Sequence, residues 1–410
     1  MASIAPNRNA SAQSATVLPI LLAISFVHLL NDSMQAVVPA MYPILQKSLD
    51  LSYVQVGWIG FMLNMTSSVM QPVVGAYSDR KPLPIMLPIG MALSLIGMVG
   101  IALAPQFWYL LLAVVFIGLG SAIFHPEGSR IVYFASGGRR GFAQSVYQVG
   151  GNAGSSLAPL MTIFIFVPFG QFGAMWGTLF AGLAIAVLLG LLPWYKKKLA
   201  EWEQERERRL ASKTESAELA DHPRVKFALG LLIFLVFARS WYHSGISSYY
   251  QFYLEHDYGL SVKEAQVPVF LFLAAGVFGT YFGGVLADRF GLKNMIVFSI
   301  MGAAPFALAL PHLPLYLVYP CIALLGFIIL SGFSVAVVYA QFLMPTKVGM
   351  ASGLTTGLAF GMGAIGAIVL GKAADVWGLE PVMFYSSFLP VLAGAAALLL
   401  PSERKAGTVR

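Results

Sequence analysis

Long apolar runs separated by short polar segments make up most of the chain. A membrane-spanning helix needs about 20 consecutive, mostly apolar residues, and the pattern supplies twelve such segments. They are residues 17–44, 54–76, 83–104, 107–133, 141–168, 172–194, 226–254, 264–286, 293–311, 313–343, 348–372 and 379–400. The pattern therefore predicts an all-α membrane protein with twelve transmembrane helices.

Composition supports this prediction and excludes several classes of protein. Of the 410 residues, 58% are hydrophobic and 10% are charged, whereas a soluble domain carries about 25% charged residues. The net charge of +7 comes from bases between the apolar runs. They form no basic face with stacking aromatics, so we expect no nucleic acid partner. The single cysteine, Cys321, excludes a disulfide framework and a cysteine-rich metal site.

The positions of the bases predict how the chain is oriented. If the amino terminus is placed inside, twenty of the 25 lysines and arginines lie on the inner side and three on the outer side. Inner loops of membrane proteins carry an excess of these residues. We therefore expect a multi-pass protein of the cell inner (plasma) membrane with both termini in the cytoplasm.

The chain divides into two six-helix halves. The polar residues 195–225 are predicted to form a cytoplasmic linker between an N-terminal bundle, residues 1–194, and a C-terminal bundle, residues 226–410. A glycine–aspartate–arginine motif follows the second helix of each half at an offset of 209 residues, as Gly75, Asp79 and Arg80 and as Gly284, Asp288 and Arg289. RGFAQS (140–145) and VGMASG (348–353) correspond at an offset of 208 residues. The halves are therefore predicted to be pseudo-repeats.

Four stretches of the first half carry a resemblance to a known family. They are SFVHLLND (25–32), QPVVGAYSD (71–79), FHPEGSR (124–130) and QVGGNAGSSLAP (148–159). With the repeated loop motif and twelve helices, the whole chain resembles the major facilitator superfamily, and these stretches resemble the fosmidomycin-resistance exporters within it. The resemblance implies a fold of two parallel six-helix repeats that works by alternating access. It also implies efflux, antibiotic resistance and a phosphonate-containing antibiotic among the substrates.

The loop motif also has a physical interpretation. Gly75 and Gly284 allow two helices to approach closely. The carboxylate of each motif aspartate is expected to lie at the amino-terminal end of the helix that follows it, where the helix dipole is positive. The motif arginines are expected to bridge to a neighbouring helix, so that the motif closes the cytoplasmic side; plain turn chemistry is the alternative. Glu127 and Arg130 are expected to pair and to join Arg80 in a network near that side; a central substrate site is the alternative.

Three glycine pairs at i,i+4 spacing mark helices with a small-residue face. They are Gly150 and Gly154, Gly279 and Gly283, and Gly357 and Gly361. Such pairs let two helices approach closely. We expect them between the halves, where they would ease a rocking motion; static packing is the alternative.

Charged groups at bilayer depth cost about 2.5–3.5 kcal/mol on insertion scales and therefore indicate function. His28, Asp32 and Gln35 share one face of the first helix. We interpret Asp32 and His28 as proton-coupling residues, because an imidazole changes its charge in the physiological pH range; a structural His–Asp pair is the alternative. Gln35 and His125 are candidates for the substrate cavity.

The seventh helix offers a basic counterpart. Arg239 lies near mid-depth, with Tyr242 and His243 one turn further along. At the repeat offset Arg239 falls beside Asp32, so opposite charges are predicted at similar depth in the two halves. We interpret Arg239, with Tyr242 and His243, as the site of an anionic substrate group; a permanent Asp32–Arg239 ion pair is the alternative.

The fifth helix carries a polar stripe at i,i+4 spacing. Its members are Gln144, Gln148 and Asn152. Uncharged amides at this spacing can bind a substrate or join helices, and the sequence favours neither interpretation.

No phosphate loop and no H-E-x-x-H motif occur, and the six histidines show no metal-ligand spacing. We therefore expect no enzyme, no cofactor and no metal. The hypothesis that accounts for the polar residues is a proton-coupled antiporter that exports small drugs or anionic compounds and functions as a monomer. A proton-coupled importer of a small carboxylate or sugar, and a transporter-like membrane sensor, are the alternatives.

Overall fold

The computed structural model of the chain describes residues 15–51, 53–157, 161–211, 223–260 and 262–402. Within these ranges the backbone is helical apart from short turns and connections, and no strand occurs. Each of the twelve predicted segments forms helix, so the predicted fold class is confirmed. The basic tails and residues 212–222 of the predicted linker lie outside the described residues.

The main helices follow the predicted order, and short helices such as Tyr42–Ser48 and Gly170–Met175 lie between them. In the first half they are α1 (Leu18–Ala40), α2 (Tyr53–Asn64, Met65–Val69 and Met70–Arg80), α3 (Met86–Leu103), α4 (Phe107–Ala135), α5 (Arg140–Ser156) and α6 (Trp176–Ala211). In the second half they are α7 (Pro223–Tyr258), α8 (Val262–Phe290), α9 (Leu292–Met301 and Ala304–Ala309), α10 (Leu315–Leu330 and Phe333–Leu343), α11 (Val348–Trp377) and α12 (Leu379–Ser386 and Phe388–Ala397). Helix α6 continues into the predicted linker.

Among the described residues, ten helices are long and apolar enough to cross a bilayer, and α2 and α5 are not among them. Helix α2 is interrupted by one turn of π-helix at Met65–Val69. Helix α5 carries the polar stripe on only 17 residues. The amides of Gln71, Gln144 and Gln148 are buried, so these two helices turn polar groups into the bundle rather than toward lipid.

Each half has an apolar core of its own. The buried cluster of the first half includes Ile24, Met34 and Phe124 and lies between residues 21 and 199. The clusters of the second half lie between residues 225 and 400. Large apolar side chains such as Trp108 and Tyr316 are exposed on the outer surface, which suits a bilayer as the surrounding solvent.

The glycine pairs do not all lie between the halves as expected. Gly150 and Gly154 pack against the backbone of Ser25 and Leu29 in α1, and the pair in α8 packs against α10 in the same way. Both contacts are inside one half, so the expectation is wrong for these two pairs. The pair in α11 is different, because Gly357 meets α2 of the other half. Close packing inside each half explains the first two pairs.

Candidate functional site

The aspartate of the first loop motif contacts the opposite half. Asp79 lies in the last turn of α2, and its carboxylate accepts hydrogen bonds from the backbone N–H groups of Gly349, at 3.1 Å, and Met350, at 2.8 Å. These groups belong to the first turn of α11, where free donors and the positive dipole end favour a carboxylate. The expectation that Asp79 serves the next helix in sequence is wrong, because α2 packs beside α11 and their ends meet.

Asp288 makes the corresponding contact in the other direction. Its carboxylate accepts hydrogen bonds from the backbone N–H groups of Gly141, at 2.8 Å, and Phe142, at 2.9 Å, in the first turn of α5. The repeated motif therefore joins the halves by a pseudo-symmetric pair of helix caps. We call the end of the bundle that carries these caps the motif end.

The motif glycines make room for these caps. A Cβ atom on Gly75 would collide with the backbone of Gly349, and one on Gly284 would collide with the carbonyl group of Gly141. In both places the collision is with backbone of the opposite half. The two halves therefore approach each other closely only because these positions lack a side chain.

Serine and glutamine side chains add further contacts between the halves. The hydroxyl groups of Ser145 and Ser334 are 3.1 Å apart. The amide of Gln341 donates a hydrogen bond to the hydroxyl of Ser129 at 3.1 Å. These residues lie toward the motif end, so the polar contacts between the halves gather there.

Arg130 of α4 is fully buried beneath the first loop motif. Its guanidinium donates hydrogen bonds to Glu127 at 2.6 Å and to the hydroxyl of Ser78 at 2.9 Å, and it forms an ion pair with Asp79. The hydroxyl of Tyr195 donates a hydrogen bond to the second oxygen of Glu127 at 2.6 Å. Two buried carboxylates thus share one guanidinium, and the remaining donors are a phenol and the N–H groups of α11.

The arginines of the loop motif lie outside this network. Arg80 is exposed and has no acidic partner among the described residues. Arg289 is exposed as well, with its guanidinium 5.4 Å from the ring centroid of Phe290. The expected bridges from these arginines are wrong for this conformation, because both follow the last buried turn and point toward solvent. Asp79, and not Arg80, completes the network of Glu127 and Arg130.

A second polar cluster lies inside the first half, between α1 and α4. The Nε2 atom of His28 is 3.3 Å from one carboxylate oxygen of Asp32, and the Nε2 atom of His125 is 3.4 Å from the other. The exposed fractions are 2% for His28, 8% for Asp32 and 4% for His125. Asn31 donates a hydrogen bond to Asp32 at 2.9 Å. The predicted His28–Asp32 pair is thus part of a buried cluster with a second imidazole.

Backbone carbonyl groups fix both imidazoles. The Nδ1 atom of His28 is 2.7 Å from the carbonyl oxygen of Tyr147, and the Nδ1 atom of His125 is 2.9 Å from that of Ser121. A carbonyl oxygen can only accept, so each Nδ1 atom carries a proton and each Nε2 atom faces the carboxylate of Asp32. The ring of Tyr147 stacks on that of His28, with centroids 4.0 Å apart. The cluster is therefore held rigidly from α4 and α5.

The other polar residues predicted for the substrate site fall into two groups. Gln35 accepts a hydrogen bond from a serine of α4 at 2.7 Å, close to the histidine cluster. Gln144 accepts one at 3.2 Å, inside the first half, from Ser129, the serine that also accepts the hydrogen bond of Gln341. Gln148 is buried and Asn152 is half-buried on α5. The α5 stripe therefore serves helix contacts at its Gln144 end.

Arg239 is the buried cation of the second half. It is 6% exposed, its guanidinium lies 4.9 Å from the ring centroid of Phe333, and no described carboxylate lies within 4 Å of it. Tyr242 is buried and His243 is half-buried on the same helix. The alternative of an Asp32–Arg239 ion pair is not found in this conformation, because Asp32 contacts the histidines of its own half.

The sequence pattern does not mark Tyr195 or Gln341 as site residues. Tyr195 stands immediately before a basic run, where an aromatic residue is expected to anchor at the membrane interface. Gln341 is a lone amide in the apolar tenth segment, and that isolation is the signal that would have marked it.

The sequence comparisons identify relatives along the whole chain. The profile of the Major Facilitator Superfamily matches residues 21–367. The uncharacterized MFS-type transporter YfnC of Bacillus subtilis is 51% identical over 409 residues, which cover 99% of this chain and 98% of that protein. The fosmidomycin resistance protein of Escherichia coli is 44% identical over 394 residues, which cover 96% of this chain and 95% of that protein.

Solved structures agree on the fold. The proton:xylose symporter XylE, bound to 6-bromo-6-deoxy-D-glucose, superimposes with a TM-score of 0.73 at 14% sequence identity. The match covers 97% of this chain and 99% of that one. At this identity the likeness concerns the arrangement of the helices alone.

Proposed function

The chain belongs to the major facilitator superfamily of membrane transporters, and from that premise we propose that it is a proton-coupled antiporter that exports small anionic compounds by alternating access. The observation that carries the proposal is a division of charge between the halves. The first half buries an aspartate between two imidazoles. The second half buries Arg239, and no carboxylate of the described residues lies next to it.

The proton is proposed to bind at the histidine cluster. Asp32 and His28, with His125, offer a carboxylate and two imidazoles in a site shielded from bulk water, and imidazole and carboxylate groups exchange protons readily. Gain of a proton removes negative charge from the first half, and loss restores it. The bound anion and the bound proton thereby influence each other through the charges on α1 and α7.

The substrate is proposed to bind at Arg239. A buried guanidinium is costly without a negative partner, and its planar fork of donors suits a carboxylate, phosphate or phosphonate group. We assign Tyr242 and His243 of α7, with Gln35 and Gln148 of the first half, to the rest of the substrate. Because a relative is a fosmidomycin resistance protein, a phosphonate drug is the substrate to try first.

The motif end is proposed to be the cytoplasmic end. The excess of bases in the predicted inner loops supports this orientation. Both termini would then lie in the cytoplasm and the protein in the inner membrane. The bundles 1–194 and 226–410 would then rock about the linker 195–225. With the motif end on the cytoplasmic side, the caps of Asp79 and Asp288 would hold that side closed, which corresponds to an outward-facing state.

The test is flux of fosmidomycin in proteoliposomes that hold the purified protein and an imposed pH gradient. Antiport predicts that drug moves against the direction of the proton flow and that a protonophore abolishes the movement. Movement of drug with the protons would overturn antiport in favour of import. Binding without movement would favour a sensor.

A further inference from the structure

We propose that His28, Asp32 and His125 form a binding site for a divalent transition-metal ion of the Zn2+ type. The three side chains offer one donor atom each, and these atoms lie within 4.8 Å of one another. The inference goes beyond the proposed function and rests on the geometry of the cluster alone. It revises the expectation of no metal, because that expectation considers only the spacing of ligands along the chain. The fold brings residues of α1 and α4 together, which the spacing does not reveal.

The separations between the donor atoms suit a tetrahedral ion. Zinc is bound at about 2.0–2.1 Å by histidine nitrogen and about 2.0–2.2 Å by carboxylate oxygen, so neighbouring donors of a tetrahedral site are about 3.3–3.5 Å apart. The observed separations are 3.3 Å from His28 to one carboxylate oxygen of Asp32 and 3.4 Å from His125 to the other oxygen. All three donor atoms lie within 4.8 Å of one another, so a bound ion would draw the two imidazoles toward each other.

The orientation of the imidazoles is that of metal ligands. Histidines that bind metal usually donate the other ring N–H to a carbonyl or carboxylate, which fixes the tautomer. Here both Nδ1 atoms face backbone carbonyl oxygens. The buried Nε2 atom of His28 makes no hydrogen bond, and it faces a carboxylate that can only accept. Two such acceptors require a positive charge between them, which either a proton, as in the proposed function, or a metal ion supplies.

Gly151 of α5 leaves space beside the donors. A Cβ atom at this position would lie 2.5 Å from the Nε2 atom of His28 and 2.6 Å from the Oδ2 atom of Asp32. The absence of a side chain therefore keeps the approach to two of the three donors open. Three protein ligands leave a fourth position for water or for an anionic oxygen.

The donor set selects the class of ion. Two imidazole nitrogens and one carboxylate oxygen suit Zn2+, Co2+ or Ni2+. Mg2+ and Ca2+ prefer sites built from oxygen alone. We therefore expect Zn2+ and Co2+ to bind and Mg2+ to leave the site unaffected.

The test is a titration of the purified, detergent-solubilised full chain with Co2+, followed by visible absorption. One intense, saturable d–d spectrum per chain is expected, which Zn2+ displaces. The spectrum should be lost in His125→Ala and His28→Ala and kept in His256→Ala, whose histidine lies exposed beside Asp257. No saturable spectrum from the wild-type chain, or an equal spectrum in the cluster variants, would overturn the proposal.

A glycine variant keeps the test sharp if a histidine variant does not fold. Gly151→Ala retains all three donors but crowds them, so Co2+ affinity should fall by at least about tenfold, the scale of changes made next to a metal site. Gly182→Ala is the matched control, because its Cβ would meet no atom within 4 Å. Equal affinity in the two variants would count against the site. Failure to bind metal would leave proton-coupled transport untouched.

Discussion

The carboxylate of Asp79 and the backbone N–H of Met350 are 2.8 Å apart, and this contact joins the end of α2 in the first half to the start of α11 in the second. Asp288 makes the corresponding contact with α5. The two caps differ, because Asp79 is buried and paired with Arg130, whereas Asp288 is exposed and has no lysine or arginine partner among the described residues. The motif end is thus held more firmly on one side.

The first prediction is that Asp79→Asn opens the motif end more than Asp288→Asn does. Hydrogen bonds to charged groups contribute about 1.5–3 kcal/mol, and the substitution at Asp79 weakens its bonds to α11 and also its ion pair with Arg130. Opening is measured by the rate of maleimide labelling in a chain that carries Ser334→Cys and Cys321→Ala. Ser334 is buried between the halves, so labelling at this position reports their separation. Equally fast labelling in both variants would contradict the asymmetry.

The second prediction concerns the close approach of α2 and α11. Gly75→Ala should slow transport strongly, because the added methyl group collides with the backbone of Gly349 and overpacking costs about 1–3 kcal/mol. The control is Gly190→Ala, where a Cβ meets no atom within 4 Å, so transport should be unchanged. The measurement is the rate of drug flux in proteoliposomes at equal protein content. A Gly75→Ala rate equal to that of the control would show that the two helices need not meet.

The sequence predicts the fold well because a bilayer imposes a simple rule. Apolar runs of spanning length and the distribution of bases mark the helices without any knowledge of packing. The repeated motif around Asp79 and Asp288 also predicts the pseudo-repeat. The helix that each aspartate caps could not be predicted, because that helix belongs to the other half and lies some 150–270 residues away in the chain.

Within the candidate sites, the sequence predicts contacts only between residues that share one face of a helix. His28 and Asp32 share a face of α1, so their proximity follows from the sequence. The approach of His125 depends on how α4 packs against α1, which periodicity does not determine. The burial of Arg130 beneath Asp79 depends likewise on tertiary packing, whereas the motif itself points to Arg80, which is exposed.

The third prediction concerns the phenol that donates to Glu127. Tyr195→Phe should destabilise the protein by about 1–3 kcal/mol, since a buried carboxylate oxygen loses its donor. Tyr133→Phe is the control, because its hydroxyl meets Arg140 at 3.3 Å in a partly exposed position, where the loss should be small. Thermal unfolding in detergent compares the two variants. A larger shift for Tyr133→Phe would contradict the structural role given to Tyr195.

The fourth prediction concerns recognition of the anion. Arg239→Gln should weaken fosmidomycin binding by about tenfold or more, because a charge-assisted hydrogen bond of about 1.5–3 kcal/mol is lost. Arg239→Lys should retain part of the affinity, since it keeps the charge without the planar fork. Arg289→Gln, at an exposed position, is the matched control. Binding is measured by calorimetry, and unchanged affinity in Arg239→Gln would place the anion elsewhere.

The most direct test of proton–anion exchange is release of protons when fosmidomycin is added to the purified protein in weakly buffered solution. Exchange predicts a saturable release from the wild-type chain. It also predicts none from Asp32→Asn or Arg239→Gln, and an unchanged release from Arg289→Gln. Drug binding without proton release, or equal release from Asp32→Asn, would contradict it.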